Sequence, residues 1–153
     1  MAEDDHVFFA ATVVVNALAN ILPIGGVTTG EISDSLPNLF VPAGITFSIW
    51  GLIYLLLLFF VLYQLRNPTV VERVGTLFMI SGAANILWIL TWHNGYIGLS
   101  TACMFILLVS LTAIYLRLGT GKEQCGNPER YFARLPFSVY LGWITVATVA
   151  NVT

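Results

Sequence analysis

Charge is what this chain has least of. Its 153 residues include six Lys and Arg and eight Asp and Glu, 9% together, against about 25% in an ordinary soluble domain. With 58% hydrophobic residues and a mean hydropathy of +0.85, this scarcity excludes a soluble globular domain and leaves an integral membrane protein of one domain. A net charge of -2 and the lack of any basic stripe exclude a nucleic-acid binder. Cysteine is scarce as well. Cys103 and Cys125 form neither a metal-ligand spacing nor a disulfide framework, and one falls in a span and the other in a loop, so no pairing is expected. No span carries a charge in its interior to relay ions or protons. No acid–base pair, nucleophile constellation or metal cluster stands in the spans either, so no catalytic residue and no metal ligand is assigned.

No cleavable signal is expected either, because Met1-Ala2-Glu3-Asp4-Asp5 is acidic where a signal would be basic. The apolar segments read as five transmembrane helices over about 7–24, 42–65, 75–92, 97–118 and 135–153. The fold expected is therefore all-α, a five-helix transmembrane bundle. Asn16 and Asn20 share one face of the first span, where costly amides call for packing against other helices. Gly25–Leu39, with Glu31, Asp34 and Pro37, is expected to be a polar loop, either a lid or a plain connector. Arg117–Arg134 is expected to be a second polar loop. The chain stops at Thr153 without a polar tail, so either the last helix ends at the far surface or the sequence is a fragment of a longer chain. Asn151-Val152-Thr153 matches a glycosylation sequon but stands at the edge of a span and is discounted.

What is abundant is aromatic residues at helical spacing. The stretch Phe40–Leu65 has no charged residue and begins with Pro42, Ala43 and Gly44, followed by Phe47, Trp50 and Tyr54 on one helical face. An aromatic stripe below a Pro/Gly entrance suggests the mouth of a pocket; the plainer reading is an interfacial anchor. Asn85, Trp88 and Trp92 share a face of the third span, a poor surface for lipid and a good pocket wall, although Trp92 alone would serve as an anchor. His93 reads as a solvated loop residue. The fourth span is plain scaffold, with Thr101, Ser110 and Thr112 able to satisfy backbone carbonyls. In the fifth, Tyr140, Trp143, Ala147 and Asn151 line one face, and Gly142, Ala147 and Ala150 permit close helix approach.

With five crossings, the N-terminus and the connections after the second and fourth spans share a side. All six Lys and Arg fall there. The positive-inside rule then places the N-terminus in the cytoplasm.

These motifs, in this order, resemble the TspO/MBR family, the tryptophan-rich sensory and translocator proteins. The resemblance runs from Phe40 to the end: Pro42, Gly44, Phe47, Trp50 and Tyr54; then Asn85 and Trp88; then Tyr140-Leu141-Gly142-Trp143, Ala147 and Asn151. The chain is similar to a divergent branch. The interval from Gly44 to Trp50 is one residue short, the second entrance proline is Ala43, and Thr28-Thr29-Gly30-Glu31 replaces the usual aromatic and Lys-Pro elements of the first loop.

The resemblance implies a five-helix membrane bundle, often dimeric, that binds porphyrin or haem and in some members sterols. Trp50, Tyr54, Asn85, Trp88, Tyr140, Trp143, Ala147 and Asn151 would contact the ligand, and Pro42, Gly44 and Phe47 would form the entrance. It further implies a sensor or receptor, with a transporter component or a light-dependent porphyrin-degrading enzyme as alternatives, and a multi-pass protein of a prokaryotic cell membrane. Indole faces suit a planar apolar macrocycle, and Asn amides can bond its polar edge. With no Lys or Arg inside a span, porphyrin carboxylates would point to water. Sterol-type patterns at Val61–Arg66 and Leu111–Arg117 are weak in any membrane chain.

Overall fold

In hydrocarbon a backbone must satisfy its own polar groups, and a chain this poor in charge does so by winding into helices. The structure, a computed structural model, describes residues 7, 9, 11, 12, 14, 15, 26–36, 40 and 44–152. A short helix α1, Thr29–Ser35, is followed by a 3-10 turn, Gly44–Ser48, that runs into α2, Ile49–Gln64. Then come α3, Pro68–His93, α4, Ile97–Arg117, and the composite helix α5, Asn127–Val152.

Among the described residues, four helices are long and apolar enough to cross a membrane. The first expected span is described only in part. Val7, Phe9, Ala11, Thr12, Val14 and Val15 are helical there, Phe9 and Val15 pack on the core, and the Thr12 hydroxyl donates to the Gly82 carbonyl at 3.5 Å. The all-α membrane bundle expected from the sequence is the fold observed. Asn16, Asn20 and Pro42 lie outside the described residues.

Helices α3 and α4 pair most extensively, α4 packs on α5, and α2 rests on α5. Their shared core centres on Phe60, whose ring stands edge-on to Phe137 at 4.8 Å and to Phe78 at 5.4 Å. Large apolar side chains also point outward, among them Leu52, Leu55, Phe59 and Leu62 on α2 and Phe105, Ile106 and Val109 on α4. Helices apolar on all sides suit a lipid surround. Within α4, Ser100, Thr101, Ser110 and Thr112 donate to carbonyls three or four residues back, so their hydroxyls cost little in lipid.

Three boundaries differ from expectation. Helix α3 begins at Pro68, a favoured first-turn position, and the expected start at Gly75 is instead a kink: buried Gly75 has φ 28° and ψ -119°. That backbone suits glycine alone. Helix α5 begins well before Leu135. Pro128 opens it, and Arg130–Arg134 is a π-wound turn, so half of the expected second loop is helical. The expected first loop contains α1. Its N-cap is a reciprocal pair in which the Thr28 amide donates to the Glu31 carboxylate at 2.7 Å and the Glu31 amide donates to the Thr28 hydroxyl at 3.3 Å. These bonds hold the Glu31 carboxyl below the usual range. The cap is therefore at full strength above that range and weakens as pH falls through it.

Arg73 of α3 pairs with Glu129 of α5 at 3.3 Å, which brings the connections after α2 and α4 to one end of the bundle. The six cations gather there. The opposite end carries Glu31 and Asp34 of α1, and among the described residues it has no Lys or Arg.

Candidate functional site

The site lies at the end of the bundle remote from the cations, where α2, α3 and α5 each turn an aromatic face inward. Trp50 of α2 is its hub. Its ring stacks on Tyr54 at 5.7 Å and on Trp88 at 5.8 Å, and meets Tyr140 and Trp143 edge-on at 6.0 and 6.3 Å. Trp88 stacks in turn on Trp92 at 6.2 Å, and Phe47 stands edge-on to Trp143 at 5.8 Å. Helical spacing explains the convergence. Phe47, Trp50 and Tyr54 repeat along α2 and the turn before it, Trp88 and Trp92 along α3, and Tyr140, Trp143 and Ala147 along α5, each set at intervals of three or four.

Two asparagines tie the aromatic faces together. Asn85 donates to the Tyr140 hydroxyl at 3.1 Å, joining α3 to α5 in the dry interior. Asn151 accepts from the Trp88 indole at 3.4 Å and from the Ser100 hydroxyl at 3.5 Å, and donates to the Ala147 carbonyl at 3.0 Å. One amide thus holds α3, α4 and α5 together. Tyr140→Phe should cost about 0.6 kcal/mol, the mean for interhelical hydrogen bonds in membranes; a small fall in thermal midpoint in detergent with the helical signal intact is the expected measurement.

Between Trp88, Trp92, Trp143, Ala147 and Asn151 is a cavity of about 20 Å³, roofed by Thr29 and Ser33 of α1 and by Phe47. It is large enough for about one water molecule. The Trp92 indole donates to the Thr29 carbonyl at 3.5 Å, fastening the roof. A second void of about 10 Å³ lies deeper, beside Tyr140, Leu57, Phe78 and Ser81. Four polar groups here are buried without a hydrogen-bond partner among the described residues: the indole N–H of Trp50, that of Trp143, and the hydroxyls of Tyr54 and Thr29. Buried donors in native proteins are nearly always paired, and two of these residues, Trp143 and Thr29, line the cavity itself.

The residues singled out from sequence come together unequally. Phe47, Trp88, Trp143, Ala147 and Asn151 line the cavity. Trp50 stands one ring behind it with Tyr54, and Asn85 with Tyr140 sits deeper. Gly44 opens the 3-10 turn that delivers Phe47. Trp92 is buried wall and not an interface anchor. His93 is not a free loop residue: it is the last residue of α3, half-buried, with Nδ1 2.9 Å from the Ile89 carbonyl. Thr29 and Ser33 are lining residues that sequence reasoning passed over, and Ala150, read from sequence only as permitting close helix approach, lines the cavity as well. The capping pattern Thr28-x-x-Glu31 was the signal for the first two. Among the described residues no group of His, Cys, Asp and Glu could hold a metal ion, and both cysteines are free.

A family model described as TSPO-like protein matches residues 5–153. Among curated proteins and among solved structures nothing matches.

Proposed function

We propose, from the premise that the chain belongs to the TSPO-like protein family and is an integral membrane protein, that it binds a tetrapyrrole such as porphyrin or haem, or a ligand of similar shape, in the aromatic cluster around Trp50. The observation that carries this reading is the set of unpaired donors, above all the indole N–H groups of Trp50 and Trp143, buried among stacked rings. Indole faces would hold a flat macrocycle by stacking, and the N–H groups would donate to its acceptors.

The cavity of about 20 Å³ is far below the roughly 300–1,000 Å³ of a small-molecule site. Admission of a ligand thus requires the roof of Phe47, Thr29 and Ser33 to move. The residues lining the cavity include no His, Cys or Met, so a haem would be held without those axial ligands. Metal-free porphyrin and haem should bind with similar affinity. Carboxylates at the macrocycle edge would face the end that carries Glu31 and Asp34 and lacks described cations, which favours a neutral ester over the free acid. A receptor or sensor role fits a closed, donor-lined cluster.

The test is a visible-absorbance titration of detergent-purified protein with protoporphyrin IX, its dimethyl ester and haem, in the dark. Saturable binding is expected. It should weaken about fivefold in Trp143→Phe, the worth of about 1 kcal/mol for one hydrogen bond, and be blocked in Ala147→Leu, which fills the cavity. Non-saturable spectra, or binding indifferent to both substitutions, would refute the reading.

A further inference from the structure

A far larger hollow than the cavity in the aromatic cluster lies elsewhere among the described residues. It is an open groove of about 600 Å³ at the cationic end, lined by the segment Thr120–Cys125 and by Arg130, Arg134, Leu135 and Ser138. Its size falls within the range of small-molecule sites. The back wall is rigid. Arg134, 6% exposed, donates to the carbonyls of Gly119 at 3.0 Å and Glu123 at 2.6 Å and reaches Glu129 at 3.1 Å. Gly119 and Gly121, with φ 63° and 80°, let the loop turn tightly around that guanidinium. The rim differs. Lys122 and Arg130 are exposed, and neither has a side-chain hydrogen bond or ion pair among the described residues. Thr120 adds a buried hydroxyl that has no partner there either. The lining sets Lys122, Arg130 and Arg134 against Glu123, and because Arg134 is already paired with Glu129, the positive charge open to a ligand lies on Lys122 and Arg130.

The position of the groove identifies its occupant. Helix α4 ends at Arg117 and the apolar run of α5 begins at Leu135, so the groove sits where hydrocarbon gives way to headgroups. Exposed Leu135 forms part of its wall, and Leu116, also exposed, is at the end of α4. A soluble phosphate would gain nothing from that apolar flank, whereas a lipid would lay its acyl chain along it. We infer that this groove is a specific seat for the phosphodiester headgroup of an anionic phospholipid, gripped by Lys122 and Arg130. An anionic phosphodiester matches that positive rim. Near an anionic leaflet each Lys or Arg contributes about 1 kcal/mol of attraction, and a formed groove concentrates two such contacts on one headgroup.

The test is native mass spectrometry of the full chain in detergent, titrated with phosphatidylglycerol and with phosphatidylcholine. One phosphatidylglycerol should bind preferentially. The double variant Lys122→Gln/Arg130→Gln should weaken that binding by about thirtyfold, in line with the loss of two interfacial cations. Both side chains are exposed, so its thermal midpoint should match wild type. The control Arg66→Gln/Arg117→Gln removes the same charge from the same end but outside the groove lining, and should change binding less than about twofold. Equal loss in both variants would reduce the effect to bulk charge attraction and overturn the proposal, as would the lack of any headgroup preference. Displacement of the lipid by glycerol phosphate at matched ionic strength would identify a soluble phosphate as the ligand and overturn the lipid assignment.

Discussion

Trp50→Ala should destabilise the bundle by about 3 kcal/mol, within the span measured for truncating a buried tryptophan. Trp50 is 4% exposed and its ring touches Tyr54, Trp88, Tyr140 and Trp143. Helices in lipid are held together by packing and hydrogen bonds and not by exclusion from water, so a hole at the point where α2 meets α3 and α5 has few compensations. Leu52, two residues on, is exposed on the lipid side, and Leu52→Ala should stay within about 0.5 kcal/mol of wild type. Thermal unfolding of both variants in one detergent, followed by the folded fraction on gel filtration, makes the comparison. Equal midpoints for the two variants would mean that the aromatic hub contributes nothing to holding the helices.

Arg134→Ala should cost about as much, roughly 3 kcal/mol, for a different reason. Removing one partner of a buried, hydrogen-bonded charge network leaves the others uncompensated. Here the Glu123 carbonyl would lose the guanidinium, the Gly119 carbonyl would keep only the amides of Lys122 and Glu123, and the Glu129 carboxylate would keep only the exposed Arg73. Lysine should not rescue, because its single ammonium cannot reproduce the planar fork that serves three acceptors in different directions. Arg73, which shares Glu129 but is exposed, should tolerate Arg73→Gln within about 1 kcal/mol, as surface pairs do. A midpoint for Arg134→Lys at the wild-type value would show that charge alone, and not the fork, secures the loop.

The contrast between these two sites shows what was legible in the sequence. The spans and the aromatic faces were legible because lipid enforces helices and helices enforce spacing. Phe47, Trp50, Trp88 and Trp143 could be placed on shared helical faces from their intervals, whereas the choice of pocket wall over interfacial anchor rested on the resemblance of the whole set of motifs. Depth and closure could not be read this way. Interval arithmetic puts Asn85 and Trp88 on one face, but only interhelical distances decide that Trp88 lines a void while Asn85 is spent on Tyr140. Helix α1 was hidden because seven residues are too few to show a period, and its polar composition resembles a loop. Its capping residues Thr28 and Glu31 carried the information, at a scale finer than hydropathy. The start of α5 was hidden by the same filter. Asn127–Arg134 is helical yet polar, and a search for apolar runs begins counting only at Leu135.

The ring contacts around Trp50 have an optical consequence. The chain has four tryptophans, and all of them, Trp50, Trp88, Trp92 and Trp143, belong to one chain of neighbouring rings spaced 5.8–6.3 Å apart. At such separations excitation migrates among indoles before it is emitted, so the intrinsic fluorescence of the protein is a property of the cluster and not of four separate reporters. A chromophore seated against any one ring would darken them all. A lipid headgroup settling between Lys122 and Arg130, at the other end of the bundle, would leave the emission unchanged. The ultraviolet glow of this protein therefore reports on a single place.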